Sequence, residues 1–521
     1  MKHIRQIMLQ RKAFLLKLVI PIVLLAITII SLGMVSSFPY LPFSNADQLP
    51  SLTKDHRANI MVDLFAEGLS HPTSMAFVDN VTLLVLEKDT GIIKKITDGI
   101  IEKEPMLQLN VDNTAERGLL GIAVLREDKG ESRDDTGAIL ESEYGSSGAS
   151  LTSNTTSPSS SSSSSVSSDC NCSIFIYFTQ RSEGTKTTRI EINSLITSNN
   201  NISSNNNSSL RNVIYKYDWD EKSLTNPELL LDLHAEPGPY HNGGKMKIGP
   251  DNQLYAVIGD LTSPNSILQN NPNQIASNST NDNHNQTTVL INSSSVILRI
   301  NPYGGLPSTN NPFMKNYSKN YTLMGVGERG LGMDYYYAYG IRNSFGLAFD
   351  PLTESLWDTE NGEDEYDEIN IVNPGFNSGW HKIMGPTYRN PNFSEAELAM
   401  FRGAHYSDPV FSWKNSIGVT DIEFFNSSDL GTEYTNNLFV GDINNGNLYF
   451  FKVNDDRDGL NFEDVPNVAN DLTADNEEEV DAVVLGKGFG GITDIETGPD
   501  GNLYILSYQD GRIYRLVNLD K

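Results

Sequence analysis

Apolar and polar positions alternate along much of the chain in short runs, each closed by a turn built from Gly, Pro, Asp or Asn. Alternation of this kind predicts strands with one face toward a core. The runs repeat a common phrase: an alternating strand, a turn of the G-P-D-G kind, a second strand, and often a D-G turn into a third. Ser74–Ile96 reads SMAFVDNVTLLVLEKDTGIIKKI and Lys245–Asp260 reads KMKIGPDNQLYAVIGD. Phe345–Glu360, Thr420–Val453 and Thr493–Leu516 repeat it, and a split copy runs through Gly118–Val124 and Ile174–Gln180. No copy carries a sustained helical period. Repeated short antiparallel sheets predict an all-β, six-bladed β-propeller, with ligands at the mouth of the central channel. The stretch between Asn301 and Tyr337 is not assigned to strands.

Three stretches interrupt the pattern, at about 126–168, 198–209 and 263–294, and are rich in Ser, Thr and Asn. They hold too little apolar surface to offset ordering entropy, so they are expected as flexible insertions carried by a stable scaffold. At the N-terminus Lys2, Arg5, Arg11, Lys12 and Lys17 precede an uncharged run from Leu18 to Val35. This polarity predicts a signal anchor or signal peptide. The expected order is a cytoplasmic basic flank (1–17), a hydrophobic segment (18–35), a linker (36–59) and an extracytoplasmic propeller (60–517), either membrane-anchored or secreted.

Charge narrows the function. The 38 Lys+Arg against 66 Asp+Glu give a net charge of −28, which disfavours nucleic-acid binding. N-x-S/T acceptors such as Asn80, Asn171, Asn201, Asn278, Asn285, Asn292, Asn316, Asn320, Asn392 and Asn426 fit an exported glycoprotein. Cys170 and Cys172 are the only cysteines. Their spacing is short for a structural disulfide and too sparse for a zinc site, so a local surface pair able to oxidise is expected.

Three clusters carry candidate chemistry. Tyr240-His241-Asn242-Gly243-Gly244-Lys245 precedes a blade strand; its glycines permit a tight turn beside a ligand. His241 reads either as a base or as a loop histidine with a structural hydrogen bond. Arg342-Asn343, before another blade strand, offers a guanidinium fork to an anion or a salt bridge between blades. The run from Glu363 to Glu368 is almost entirely carboxylate and suggests Ca²⁺, or else a solvated acidic loop.

These clusters, with ERGLLGIAV at Glu116, HNGGKMKIGPDNQLY at His241, YGIRNSFGLAFDP at Tyr339 and TENGEDEYDEINIVNPGFNSGW at Thr359, resemble the glucose/sorbosone dehydrogenase family. The resemblance runs from about Val62 to Leu516 without the inserts. It implies a propeller that binds PQQ and Ca²⁺ on one face and passes hydride from a sugar or alcohol to the quinone. His241 matches the base, and Arg342 and Asn343 match contacts to the cofactor's reactive carbonyl. Gly362-Glu363, with Asp367 nearby, matches the Ca²⁺ loop, and Glu116, Asn444 and Thr493 fall at further cofactor-contact positions. This sequence departs from the family's glucose dehydrogenases at several of them. Glu116 stands for a glutamine, Glu363 for a proline, Tyr240 for an aspartate, Asn444 for a lysine, and Gly491 and Thr493 for arginines. PQQ is a tricarboxylate, so fewer cationic contacts imply weaker anchoring, with Lys245 as a partial substitute. The alternative reading is a non-catalytic extracellular binding or adhesion module.

Overall fold

The computed structural model describes residues 49–53, 59–127, 170–181, 210–262, 267–271, 279–281, 287–291, 293–314, 321–325 and 332–520. The N-terminal hydrophobic segment, the 126–168 insertion beyond residue 127 and the 198–209 insertion lie outside the described residues.

Each of the six phrases forms a blade. The first blade orders Pro72–Phe77, Thr82–Glu87 and Ile92–Thr97, and the second Leu119–Arg126, Cys172–Arg181, Leu210–Trp219 and Leu224–His234. The third orders Met246–Ile248, Leu254–Ile258, Val296–Ile300 and Tyr336–Tyr339. The fourth runs Ser344–Phe349, Leu356–Glu360, Glu365–Val372 and Phe411–Asn415, and the fifth Val419–Phe424, Leu438–Asp442, Asn447–Val453 and Val484–Lys487. The sixth combines Ile492–Thr497, Leu503–Ser507 and Arg512–Asn518 with Ile60–Glu67 from the start of the propeller. That pairing closes the ring, and the first strand of every blade lies against the first strands of its neighbours.

Successive blades stack through separate apolar cores. Thr82–Glu87 shows why its sequence, TLLVLE, is nearly continuous rather than alternating. Leu84 and Leu86 point into the core shared with the second blade, whereas Leu83 and Val85 point into the core shared with the sixth. A blade strand buried on both faces needs apolar residues at both parities.

The structure corrects several expectations. Ser51–Leu52, within the stretch read as linker, pairs with Val484–Lys487 at the outer edge of the fifth blade. The 263–294 stretch is not featureless: Ile267–Gln269 forms a buried 3₁₀ turn. Ser279–Asn281 and Thr287–Ile291 pair in a small sheet with Tyr321–Gly325. Cys170 and Cys172 are disulfide-bonded, with Cα atoms 5.3 Å apart, and Cys172 is buried at the start of a strand instead of lying on the surface.

Candidate functional site

In an antiparallel blade the loop entering the first strand and the turn joining the second and third strands open on the same side of the ring. Glu116, His241 and Arg342-Asn343 occupy entry loops of the second, third and fourth blades. Gly362-Glu363 and Asn444 occupy inner turns of the fourth and fifth blades, and Gly491 and Thr493 lie at the entry to the sixth. One face therefore carries all the candidate residues.

His241 adopts φ 60°, a left-handed conformation unusual for a residue with a Cβ. Its backbone N–H donates to Glu116 Oε2 at 2.6 Å, and Leu261 N–H donates to its carbonyl at 3.3 Å. The imidazole Nδ1 lies 2.6 Å from Asp260 Oδ1. Asp260 also accepts from Thr262 N–H at 2.7 Å and Trp380 Nε1–H at 2.8 Å. An ionised carboxylate is acceptor-only, so Nδ1 carries the proton and Nε2 is left as the free basic nitrogen.

The loop behind His241 is buried and hydrogen-bonded. Asn242 is fully buried, donates to Pro239 O at 2.8 Å, and receives Asn212 Nδ2 at 3.1 Å. Gly243 and Gly244 serve packing and not ligand approach: a Cβ would lie 2.5 Å from Val257 O and 2.6 Å from Leu120 Cβ, respectively.

Arg342 is not a salt bridge between blades. Its guanidinium lies 5.4 Å from the Trp380 ring centroid, Nη1 donates to Asn361 O at 3.0 Å, and Nε is buried without a partner. Asn343 Nδ2 reaches Glu116 Oε2 at 3.3 Å, while its buried Oδ1 is unpartnered. Glu116 thus ties the histidine loop to Asn343. A buried donor and a buried acceptor left unpaired cost free energy, which marks this part of the face as a candidate functional site.

The acidic run does not converge. Glu363, Asp364 and Glu365 are exposed, and Asp367 is buried with its carboxylate filled by amides. Asp367 Oδ1 accepts Gly362 N–H at 3.0 Å, and Oδ2 accepts the N–H groups of Ile417, Gly418 and Val419 at 2.8, 2.7 and 3.1 Å. Asp367 therefore organises the Gly362 loop instead of offering itself as a free cation ligand. No group of three or more His, Cys, Asp or Glu side chains is arranged to hold a metal among the described residues.

The candidate positions across the face, Asn444, Gly491 and Thr493, are uncharged, although the first blade brings His71, Lys88 and Asp89 to the same side of the ring. Asn444 is exposed beside Gly418, and Thr493 Oγ1 donates to Pro72 O at 2.9 Å. Lys245 is no substitute cation. Its Nζ sits on the propeller axis, 2.8 Å from Asp421 and 2.7 Å from Asp494, and the side chain is 6% exposed. Lys247 repeats the arrangement two residues on, reaching Glu423 and Glu496 at 3.2 and 3.1 Å.

Sequence reasoning missed Asp260 and Trp380. Asp260 ends the strand phrase LYAVIGD and looks like a turn residue, and Trp380 lies 139 positions from His241 (380 − 241) with no spacing signal.

A propeller with a histidine–carboxylate pair and an arginine on one face defines a class of proteins whose chemistry sits in entry loops. The Glucose / Sorbosone dehydrogenase family model matches residues 171–515, and the chain belongs to that family. An aldose sugar dehydrogenase (YliI) of Escherichia coli K12 is 31% identical over 212 residues, covering 40% of this chain and 47% of that protein. Quinoprotein glucose dehydrogenase B of Acinetobacter calcoaceticus is 30% identical over 193 residues, covering 35% of each. The matches thus span less than half of these two relatives. Among solved structures, the apo aldose sugar dehydrogenase of E. coli superposes with TM-score 0.54 at 19% identity, covering 88% of this chain and 99% of that one. The PQQ-bound aldose sugar dehydrogenase of Streptomyces coelicolor gives 0.51 at 19%, covering 90% and 100%. At these identities the structural likeness establishes the fold alone.

Proposed function

We propose that the protein is a PQQ-dependent sugar or alcohol dehydrogenase that works at the His241 face. The observation that carries this reading is the His241–Asp260 pair, with Nε2 free, beside Arg342 and Asn343. Family membership supports an oxidoreductase acting on sugars.

The reactive side of the face fits a quinone. Arg342 Nε and Asn343 Oδ1 are buried and unpaired, a donor and an acceptor next to the base. The far side fits less well, because Asn444, Gly491 and Thr493 present no charged group. Arg342 and Asn343 would hold the cofactor, and the Gly362-Glu363 backbone would hold Ca²⁺. When bound, the quinone supplies the hydride acceptor and Ca²⁺ a Lewis acid for its carbonyl. The protein does the rest. His241 Nε2 takes the proton of the substrate hydroxyl as its C–H hydride departs, Asp260 stabilises the resulting imidazolium, and Arg342 faces the developing negative charge.

The substrate is a neutral sugar or alcohol, and the propeller works outside the cytoplasm on its N-terminal segment. The uncharged Asn444, Gly491 and Thr493 are the one observation favouring the alternative, a non-catalytic binding module.

The test is to load the purified protein with PQQ and Ca²⁺ and follow dye reduction over a panel of aldoses and alcohols. Sugar-dependent reduction is expected, with His241→Ala reducing turnover at least 100-fold, the lower range for a general base, while cofactor binding persists. Absence of PQQ binding by calorimetry at micromolar cofactor would remove the enzyme reading. Retained turnover in His241→Ala would remove His241 from the base role.

A further inference from the structure

Trp380 touches both halves of the reactive side. Its indole N–H donates to Asp260 Oδ2 at 2.8 Å, and its ring lies under the Arg342 guanidinium at 5.4 Å. Only 8% of the residue is exposed. A buried indole N–H needs an acceptor, and here the acceptor is the carboxylate that fixes the histidine tautomer. Trp380 itself is held from two sides. Its backbone N–H donates to Gly340 O at 3.1 Å, and its backbone carbonyl accepts Asn270 Nδ2 at 2.8 Å.

Asn270 has zero exposure and forms a reciprocal amide pair with Asn377, at 2.9 and 2.8 Å. Its Oδ1 also accepts Ala399 N–H at 3.0 Å. Asn270 belongs to the Asn/Ser-rich stretch whose composition reads as a flexible insertion. Yet this short buried island clamps the indole against the histidine–carboxylate pair.

We infer that Trp380 is a positioning residue that sets the His241 tautomer through Asp260 and the placement of Arg342 through its ring, and that Asn270 is the brace holding it. The role in catalysis rests on His241 being the base, as proposed above; the positioning itself does not. With the indole in place, Asp260 Oδ2 is occupied and Oδ1 is directed at Nδ1. Without it, the Thr262 amide alone anchors the carboxylate through Oδ1, Oδ2 is left unpaired, and both imidazole tautomers become populated.

The experiment is ¹⁵N NMR of protein labelled at its 8 histidines, with the His241 resonances assigned by their loss in His241→Asn. The native protein should show His241 as the Nδ1–H tautomer alone. Trp380→Phe keeps an aromatic ring for Arg342 and removes the donor. It should produce a mixture of tautomers and a roughly tenfold fall in kcat, with KM for the sugar changed less than twofold and an altered pH profile. Asn270→Ser should move the tautomer ratio in the same direction by a smaller amount.

Asp260→Asn and Trp380→Phe should be non-additive in kcat, because both act through one hydrogen bond. A His241 spectrum and pH profile unchanged in cooperatively folded Trp380→Phe overturns the inference. If Trp380→Phe does not fold, Asn270→Ser decides by the same spectrum. Because the tautomer is read without turnover, a protein that oxidises no sugar can still support or overturn this assignment. Conversely, normal turnover with an unmoved tautomer defeats this inference and leaves the proposed function standing.

Discussion

His241 holds φ 60° where most residues would sit in the β or α region, a conformation that costs on the order of 1 kcal/mol or more. The bonds from His241 N–H to Glu116 and from Leu261 N–H to the His241 carbonyl offset that cost. Strain of this sort is retained where it aims a side chain, here toward Asp260 on one nitrogen and the open face on the other. Charge at single positions is a separate matter. Asn444 is exposed and uncharged next to Gly418, so a lysine there meets no steric barrier beyond the loop itself. Asn444→Lys is expected to tighten PQQ binding by about tenfold, ~1.4 kcal/mol, at the low end for a hydrogen bond to a charged group. Calorimetric titration of the variant with cofactor measures this directly; an unchanged affinity would mean that the cofactor's carboxylates lie away from Asn444.

Elements show how one carboxylate shapes a loop. Asp367 gathers four backbone N–H groups from Gly362 and from Ile417, Gly418 and Val419, and so ties the inner turn of the fourth blade to the entry loop of the fifth. Asp367→Ala should lower stability by about 3 kcal/mol, the cost of orphaning several buried donors. Denaturant melts should give the same loss with Ca²⁺ or with chelator. A loss seen only with Ca²⁺ would return Asp367 to the role of metal ligand. Clustered acidic letters do not reveal which side chains turn inward, so the amide contacts of Asp367 were not legible in the sequence. The blade strands were legible for the opposite reason: strands such as Leu254–Ile258 and Leu503–Ser507 lie within local phrases bounded by their own turns. Ser51–Leu52 and Tyr336–Tyr339 were not, because their pairing partners are remote in sequence or reached after a long excursion. Of the site, His241 and Arg342-Asn343 were legible from glycine-flanked polar motifs. Asp260, Trp380 and Asn270 were not, since only the ring closure brings them together.

Across the whole molecule, the axis is bridged by two stacked ion-pair layers. Lys245 with Asp421 and Asp494 forms one, and Lys247 with Glu423 and Glu496 the other. They connect the third blade, which carries His241, to the fifth and sixth, and they do so with more carboxylates than lysines. Burial consequently pushes Glu496 up to about 7, with Lys247 acting the other way, and pushes Asp421 well above the ordinary range. For Asp494, burial acts upward but is outweighed by Lys245, and the carboxyl lies below its usual value. Away from the axis, burial also raises Asp442 to about 6. A carboxyl whose pKa is raised on folding binds its proton more tightly in the native state than in the unfolded one. Its contribution to stability is therefore fullest below the unfolded value of 4.5 and is lost as pH rises through about 7 for Glu496. The surplus of negative charge on the chain adds to the same trend, because compact states suffer from self-repulsion. The melting temperature is thus expected to be several degrees higher at pH 5 than at pH 8. Glu496→Gln, which keeps the volume and removes the titration, should flatten part of that slope by raising the melting temperature at pH 8 more than at pH 5. Thermal melts of both proteins across this range check the point. A slope of opposite sign, or one that Glu496→Gln leaves unaltered, would show that the axial layers hold their protons no more tightly than the unfolded chain does.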